Sequence, residues 1–402
     1  MKMRKKALAI LLCLTTMWQI IGCKKEENKP VIQLQSIYAG ATMDLCTDTV
    51  REYLNAQKEE EQLSILTSHV GQDMAFQSVL FSWSSDGVSK VYTVHFADNE
   101  AFENEITYET YNTSLGKRGC LTPGKTYYWK VTGDAEGSTS EVDYFQTLDE
   151  PVRYISTMSI PNARDIGGWK TEDGKKVKYA MLYRGGRTNP NGGNTCAPED
   201  QELFAKYLGV KTEIDLRTSG ADDGDQTYSV FGDGVMYYKT PLTQFCYIFP
   251  SFEQTEPVSR AYDKRVKYSV QQIFEVLAEE ENYPIFFHCN GGADRTATVA
   301  FLINGLLGVS YEDLTRDCEL TTFSPAGARW RSSVKNGKFD ASGVYQDNAD
   351  NYVAWGKMYD MMMKEYGTKD GSLSSAIENY LIKECALEKE TLDAVRRIML
   401  ED

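Results

Sequence analysis

The stretch Pro284-Ile285-Phe286-Phe287-His288-Cys289-Asn290-Gly291-Gly292-Ala293-Asp294-Arg295-Thr296 runs from an apolar strand, through a glycine loop, into the start of a helix that continues over Ala297–Leu307. A loop in that position points successive backbone N–H groups at one spot, and the helix N-terminus adds positive potential there. Such a nest, built from the amides of Asn290, Gly291, Gly292, Ala293, Asp294 and Arg295, suits a phosphate dianion. The same donors stabilise a thiolate on Cys289 when no anion is bound. Arg295, six positions on, can fold back and grip two phosphate oxygens with its fork. Thr296 can donate its hydroxyl to the sulfur, which makes the sulfur a better leaving group. Gly291 and Gly292 permit backbone angles that a side chain forbids.

Outward from this loop, apolar runs at Met181–Tyr183 and Val210–Leu216 read as buried strands, and Val266–Ala278 and several later segments as helices. The alternation predicts an α/β domain over 150–402, with a central, mostly parallel sheet flanked by helices. Only His69, His95 and His288 exist in the chain, and His288 stands alone in the C-terminal half. A His-rich metal centre, a phosphohistidine mechanism with a second His, and a Ser-His-Asp triad are all hard to build there. Neither a metal nor an organic cofactor is expected.

The pattern His288-Cys289-x-x-Gly292-x-Asp294-Arg295-Thr296 resembles the signature loop of the cysteine-based protein tyrosine phosphatases, and in particular their atypical bacterial branch. That branch acts on phosphotyrosine and, in some members, on phosphoinositides. Asn162-Ala163-Arg164-Asp165-Ile166-Gly167-Gly168 resembles its N-x-R-D-[LIV]-G-G segment, Tyr183-Arg184-Gly185-Gly186 its [YF]-R-S-G segment, and Ile214-Asp215-Leu216-Arg217 its D-L-R strand end. The run Ser374–Leu400 resembles its closing helices. The resemblance implies Cys289 as nucleophile, Arg295 as phosphate clamp, and His288, Asp294 and Thr296 as further catalytic residues. Arg164, Asp165, Asp215 and Arg217 are expected to support them, by ion pairs at strand ends or by direct substrate contact. Two departures stand out. Ala293 replaces a Lys thought to favour phosphoinositide head groups, and Gly185 or Gly186 replaces a Ser.

The chain begins with basic Lys2, Arg4, Lys5 and Lys6, an apolar run from Ala7 to Ile21, and Gly22-Cys23. This predicts a lipoprotein signal peptide over 1–22 with Cys23 lipidated, hence an exported, membrane-anchored protein, periplasmic or at the cell surface. Residues 23–62 read as a tether and short helical linker. Phe81 and Trp83, then Tyr92, Val94 and Phe96, alternate with polar residues, and Leu121-Thr122-Pro123-Gly124 leads into Tyr127-Tyr128-Trp129. That pattern over 63–149 resembles a fibronectin type III module, an all-β sandwich, expected to be a spacer or docking module that can be deleted without loss of activity. His69 and His95 carry no chemistry in this reading. The six cysteines Cys46, Cys120, Cys196, Cys246, Cys318 and Cys385 form no CxxC pair.

Across its 402 residues, 42% hydrophobic and 25% charged, the chain carries a formal charge of −15, which argues against nucleic-acid binding but not against a local anion pocket. The expected reaction is hydrolysis of a phosphate monoester through a phosphocysteine, on a phosphorylated protein or a small phosphate ester. Asp294 is the favoured general acid, with Asp215, Asp222, Asp223 and Asp225 as rivals. Inositol phosphates or phosphoinositides are the alternative substrates, with Lys239, Arg260, Lys264, Arg265 and Arg329 as candidate cations. A catalytically silent surface binding protein is the remaining reading.

Overall fold

The computed structural model describes residues 32–36, 40–72, 79–117, 121–188, 196–218, 226–251, 265–331 and 346–401. The leader, Cys23 and the tether through Pro30 lie outside the described residues, as do Cys120, Asp222, Asp223, Asp225, Arg260 and Lys264.

The N-terminal part holds β1 (Ile32–Leu34), β2 (Ala41–Met43), α1 (Asp48–Asn55), α2 (Glu59–Ser68), β3 (Val79–Ser85), β4 (Tyr92–Ala97), β5 (Ile106–Thr110), β6 (Ser114–Lys117), β7 (Thr126–Gly133) and β8 (Asp143–Thr147). The strands form two sheets, ordered β1-β3-β6 and β2-β8-β7-β4-β5. The alternation read in the sequence is what fills the space between them. Phe81, Trp83, Val94, Phe96, Trp129 and Phe145 are all buried, with Phe81 edge-on to both Phe96 and Trp129.

In the C-terminal part, β9 (Arg164–Asp165), β10 (Leu182–Gly185), β11 (Thr212–Asp215), β12 (Met236–Lys239) and β13 (Ile285–His288) form one sheet in the order β12-β11-β13-β10-β9. β10, β11, β12 and β13 run parallel, and β9 is an antiparallel edge. β13 is central and wholly buried, which is why it reads as an unbroken apolar run. The helices are α3 (Pro198–Glu202), α4 (Arg265–Leu277), α5 (Asp294–Leu306), α6 (Tyr311–Glu319), α7 (Gln346–Tyr366), α8 (Leu373–Cys385) and α9 (Lys389–Met399). Gly185, Asp215 and His288 sit in register at the carboxyl ends of three neighbouring strands, which brings segments far apart in sequence to one edge.

The described residues of 23–62, which are 32–36 and 40–62, depart from the expected role of tether and linker. Ile32–Leu34 pairs with β3 and Ala41–Met43 with β8, so both complete the sheets. Helices α1 and α2 bury Val50, Tyr53 and Leu66 in the core of the C-terminal part, where Tyr53 Oη donates to the buried Glu319 carboxylate. Each such side chain contributes about 1.5–3 kcal/mol by burial. Arg153 adds a further tie, donating to the Leu121 carbonyl at 3.0 Å and to Asp165 at 3.1 Å. The idea of a detachable spacer is therefore corrected: removing 30–149 strips part of the C-terminal core.

Candidate active site

A phosphate nest works only if its carbonyls face away from the anion, and each outward carbonyl then needs a donor. Around Cys289 those donors are present. The Asn290 carbonyl accepts the Arg187 N–H at 2.9 Å. The Gly292 carbonyl accepts both Arg184 Nη2 and Asn162 Nδ2 at 2.8 Å. The N–H groups of such a loop are left on its inner side. Helix α5 starts at Asp294 with Ala293 as N-cap and no capping side chain, so its first amides join the same positive end. Gly292 has φ +68°, and a Cβ there would lie 2.5 Å from the Gly185 carbonyl carbon. Gly292→Ala is expected to lower phosphate release more than about 100-fold, because the loop must shift to admit the methyl. Activity within threefold of the parent would show that the loop tolerates it.

The donors are themselves anchored by a buried charge cluster. Asp317, on α6, accepts Arg164 Nε at 3.0 Å through one carboxylate oxygen and Arg184 Nη1 through the other. Burial works against this carboxylate, but Arg164 and Arg184 outweigh it and hold Asp317 below the usual range. Burial and the neighbouring Arg164 together bring Arg184 down to about 10. Arg164 also donates to Asn162 Oδ1, which turns the Asn162 amide toward Gly292. Arg164 therefore reaches the loop through other residues. Asp165 faces the other way, accepting the Gly167 and Ala180 N–H groups and Arg153.

At the end of β11, Asp215 is gripped by Arg217 (2.9 and 2.8 Å), Lys239 (2.9 Å) and Tyr237 (2.7 Å). Burial opposes its charge, but His288, Arg217 and Lys239 outweigh that and depress it strongly. Asp215 is fully buried and so cannot reach the oxygen of a substrate's leaving group, which removes it from the rival acids. Lys239 is engaged there as well. His288 is fully buried, stacked on Phe286, with Nε2 at 2.9 Å from Glu213 Oε1. Glu213 also accepts from Thr188 (3.2 Å) and Gln226 (3.0 Å). His288 thus braces the strand end rather than facing a substrate. The buried Thr296 hydroxyl has no hydrogen-bond partner among the described residues, so the expected bond to the Cys289 sulfur is not made in this structure.

Cys289 is buried in the loop. The other described cysteines are also buried without disulfides, and burial pushes Cys246 up to about 11 and Cys196, Cys318 and Cys385 up to about 12. Asp294 is only partly exposed, and both its oxygens face the guanidinium of Arg329, at 2.8 and 3.0 Å. Glu213 and Asp317 are absent from the residues picked from sequence, and Arg329 is picked there only as a candidate cation for the substrate, not as a partner of Asp294. Arg184 and Asn162 lie inside quoted motifs, but nothing local marks what they hold. The Ser-to-Gly departure has a steric reason: a Cβ on Gly186 would come 2.5 Å from Pro161 Cγ and 2.9 Å from the Asn290 carbonyl oxygen.

This arrangement agrees with comparison by sequence, in which residues 155–401 match the tyrosine phosphatase family. The chain belongs to that family. It is 26% identical over 167 residues to a protein of Cupriavidus necator provisionally named a tyrosine-protein phosphatase, covering 39% of this chain and 58% of that one. It is 24% identical over 198 residues to a tyrosine-protein phosphatase of Nostoc commune, covering 44% of this chain and 64% of that one. The chain thus spans less than two thirds of the length of either relative. Among solved structures, the core catalytic domain of the PP-IP phosphatase Siw14 from S. cerevisiae shares 17% identity, covering 38% of this chain and 77% of that domain, at a TM-score of 0.25.

Proposed function

We propose that this chain hydrolyses phosphate monoesters through a phosphocysteine on Cys289, with protein phosphotyrosine as the preferred substrate class. The observation that carries this reading is the outward anchoring of the Asn290 and Gly292 carbonyls behind the nucleophile. In the first step the Cys289 thiolate attacks phosphorus, the S–P bond forms, and the P–O bond to the leaving group breaks. Asp294 supplies the proton to the departing oxygen. In the second step water attacks phosphorus, its proton passes to Asp294, and the sulfur leaves as thiolate with Thr296 as donor. Loop amides and Arg295 stabilise the equatorial oxygens throughout. Every role is filled by a side chain or amide of the loop, so activity should persist in EDTA.

Ala293 is buried and brings no cation to the rim, which favours phosphotyrosine over phosphoinositide. The test is phosphate release by the purified chain from p-nitrophenyl phosphate, a phosphotyrosine peptide, a phosphoinositide and inositol hexakisphosphate. Preference for the peptide supports the proposal, and preference for either inositol compound selects the alternative. Asp294→Asn should lower turnover of the phosphotyrosine peptide by about 10²-fold or more, with a much smaller loss on p-nitrophenyl phosphate, whose leaving group departs as an anion. Equal losses on both would count against the acid.

The fibronectin type III reading of the N-terminal sheets is supported by the Thr122 N–H donating to Tyr127 Oη at 2.9 Å, a tyrosine tying its own corner. Lipidation of Cys23 and export rest on the leader sequence.

A further inference from the structure

The segment after α6 lies along the rim of the phosphate loop. A Cβ placed on Gly291 would come 3.7 Å from the Ala326 Cβ, and three residues further Arg329 reaches Asp294. The segment is pinned from below. Thr322 Oγ1 accepts the Arg329 N–H at 2.9 Å and donates to the Arg329 carbonyl. Arg331 is held by the buried Glu319, which Tyr53 of α1 also engages. The Arg329 backbone is therefore fixed, and its fork meets the carboxylate through two near-parallel bonds, Nε to Oδ1 at 2.8 Å and Nη2 to Oδ2 at 3.0 Å. The two side chains are only 12% and 23% exposed. A pair so placed fixes orientation in a way that a solvated surface pair does not. Burial works against the Arg329 charge, and Asp294 more than offsets it.

We propose that Arg329 is a positioning residue for the phosphatase reaction, aiming the Asp294 carboxyl group at the leaving-group oxygen. This rests on the reaction proposed above. It assigns Arg329 to the acid and not to the substrate: Nη1 donates to the Ala328 carbonyl while the fork holds Asp294. The proposal also explains why the α1–α2 hairpin is built into the core, since Tyr53 and Glu319 anchor the segment that carries Arg329.

The experiment is a double-mutant cycle on the full chain with Arg329→Gln, Asp294→Asn and the two combined, read on a phosphotyrosine peptide and on p-nitrophenyl phosphate. Arg329→Gln is expected to lower kcat on the peptide on the order of tenfold, a fraction of what a positioned acid contributes. KM should stay within about twofold, and p-nitrophenyl phosphate turnover should barely change. The double variant should be no slower than Asp294→Asn alone, and Arg329→Lys should recover part of the loss. A rise in KM on both substrates, or losses that multiply in the double variant, would overturn the proposal by making Arg329 a substrate ligand or a purely structural residue. If Arg329→Gln does not fold, as read by thermal melting, the comparison of Arg329→Lys with Arg329→Lys/Asp294→Asn decides by the same criteria. Failure of the parent to release phosphate from p-nitrophenyl phosphate, or activity surviving in Cys289→Ser, would sink the phosphatase reading itself.

Discussion

Cys289→Ser is expected to abolish phosphate release from every substrate while leaving the protein folded. The loss should be on the order of 10⁴–10⁶-fold, as for removal of a covalent nucleophile elsewhere. Serine matches the shape of cysteine, so the loop and its outward carbonyls should persist and the melting temperature should stay within a few degrees. What serine lacks is the sulfur, a far better nucleophile than an unactivated hydroxyl. No other described thiol can substitute, because burial pushes Cys46, Cys196, Cys246, Cys318 and Cys385 all toward the protonated form. Phosphate release assayed beside a thermal melt checks both halves. A folded Cys289→Ser variant with a tenth of the parent rate would place the nucleophile elsewhere.

Asp317→Ala should be the most destabilising single change near the site. Arg164 and Arg184 are both fully buried, and both lean on this one carboxylate. Truncating one member of a buried ion network leaves uncompensated charge and costs about 3–5 kcal/mol. The damage also reaches the chemistry, since Arg184 would lose the anchor from which it holds the Gly292 carbonyl. Urea denaturation measures the first effect, and turnover under conditions where the variant is still folded measures the second. A loss below 1 kcal/mol with normal turnover would mean that water or repacking satisfies both arginines and that Asp317 does not organise the loop.

The parts of the site that were legible in the sequence are those whose chemistry is contiguous. The nucleophile, the glycine turn, the helix N-terminus and the clamp all fall between His288 and Thr296, so spacing alone relates them. Arg164 and Asp215 could be picked out as charged residues at strand ends, but not where their side chains lead. Asp317 and Arg329 carry no local signal, and what reveals them is that the buried Arg164 and Arg184 and the half-buried Asp294 each need a partner. In the fold, β13 and α5 are long or apolar enough to read directly. Met236–Lys239 is short and only partly buried, so its pattern does not separate it from a loop. The spacing of Val50 and Tyr53 predicts a helix, but periodicity cannot say which body the apolar face joins. That is why residues read as a linker belong to the core.

The central claim is a covalent phosphocysteine, and the most direct test is to trap it. The parent, Cys289→Ser and Asp294→Asn proteins would be quenched in acid during turnover of p-nitrophenyl phosphate, digested, and their peptides weighed. The account predicts one added phosphoryl group on the peptide containing Cys289 in the parent and in Asp294→Asn, and none in Cys289→Ser. Phosphate released at full rate with no phosphoryl group on that peptide, or with one on a different residue, would contradict it.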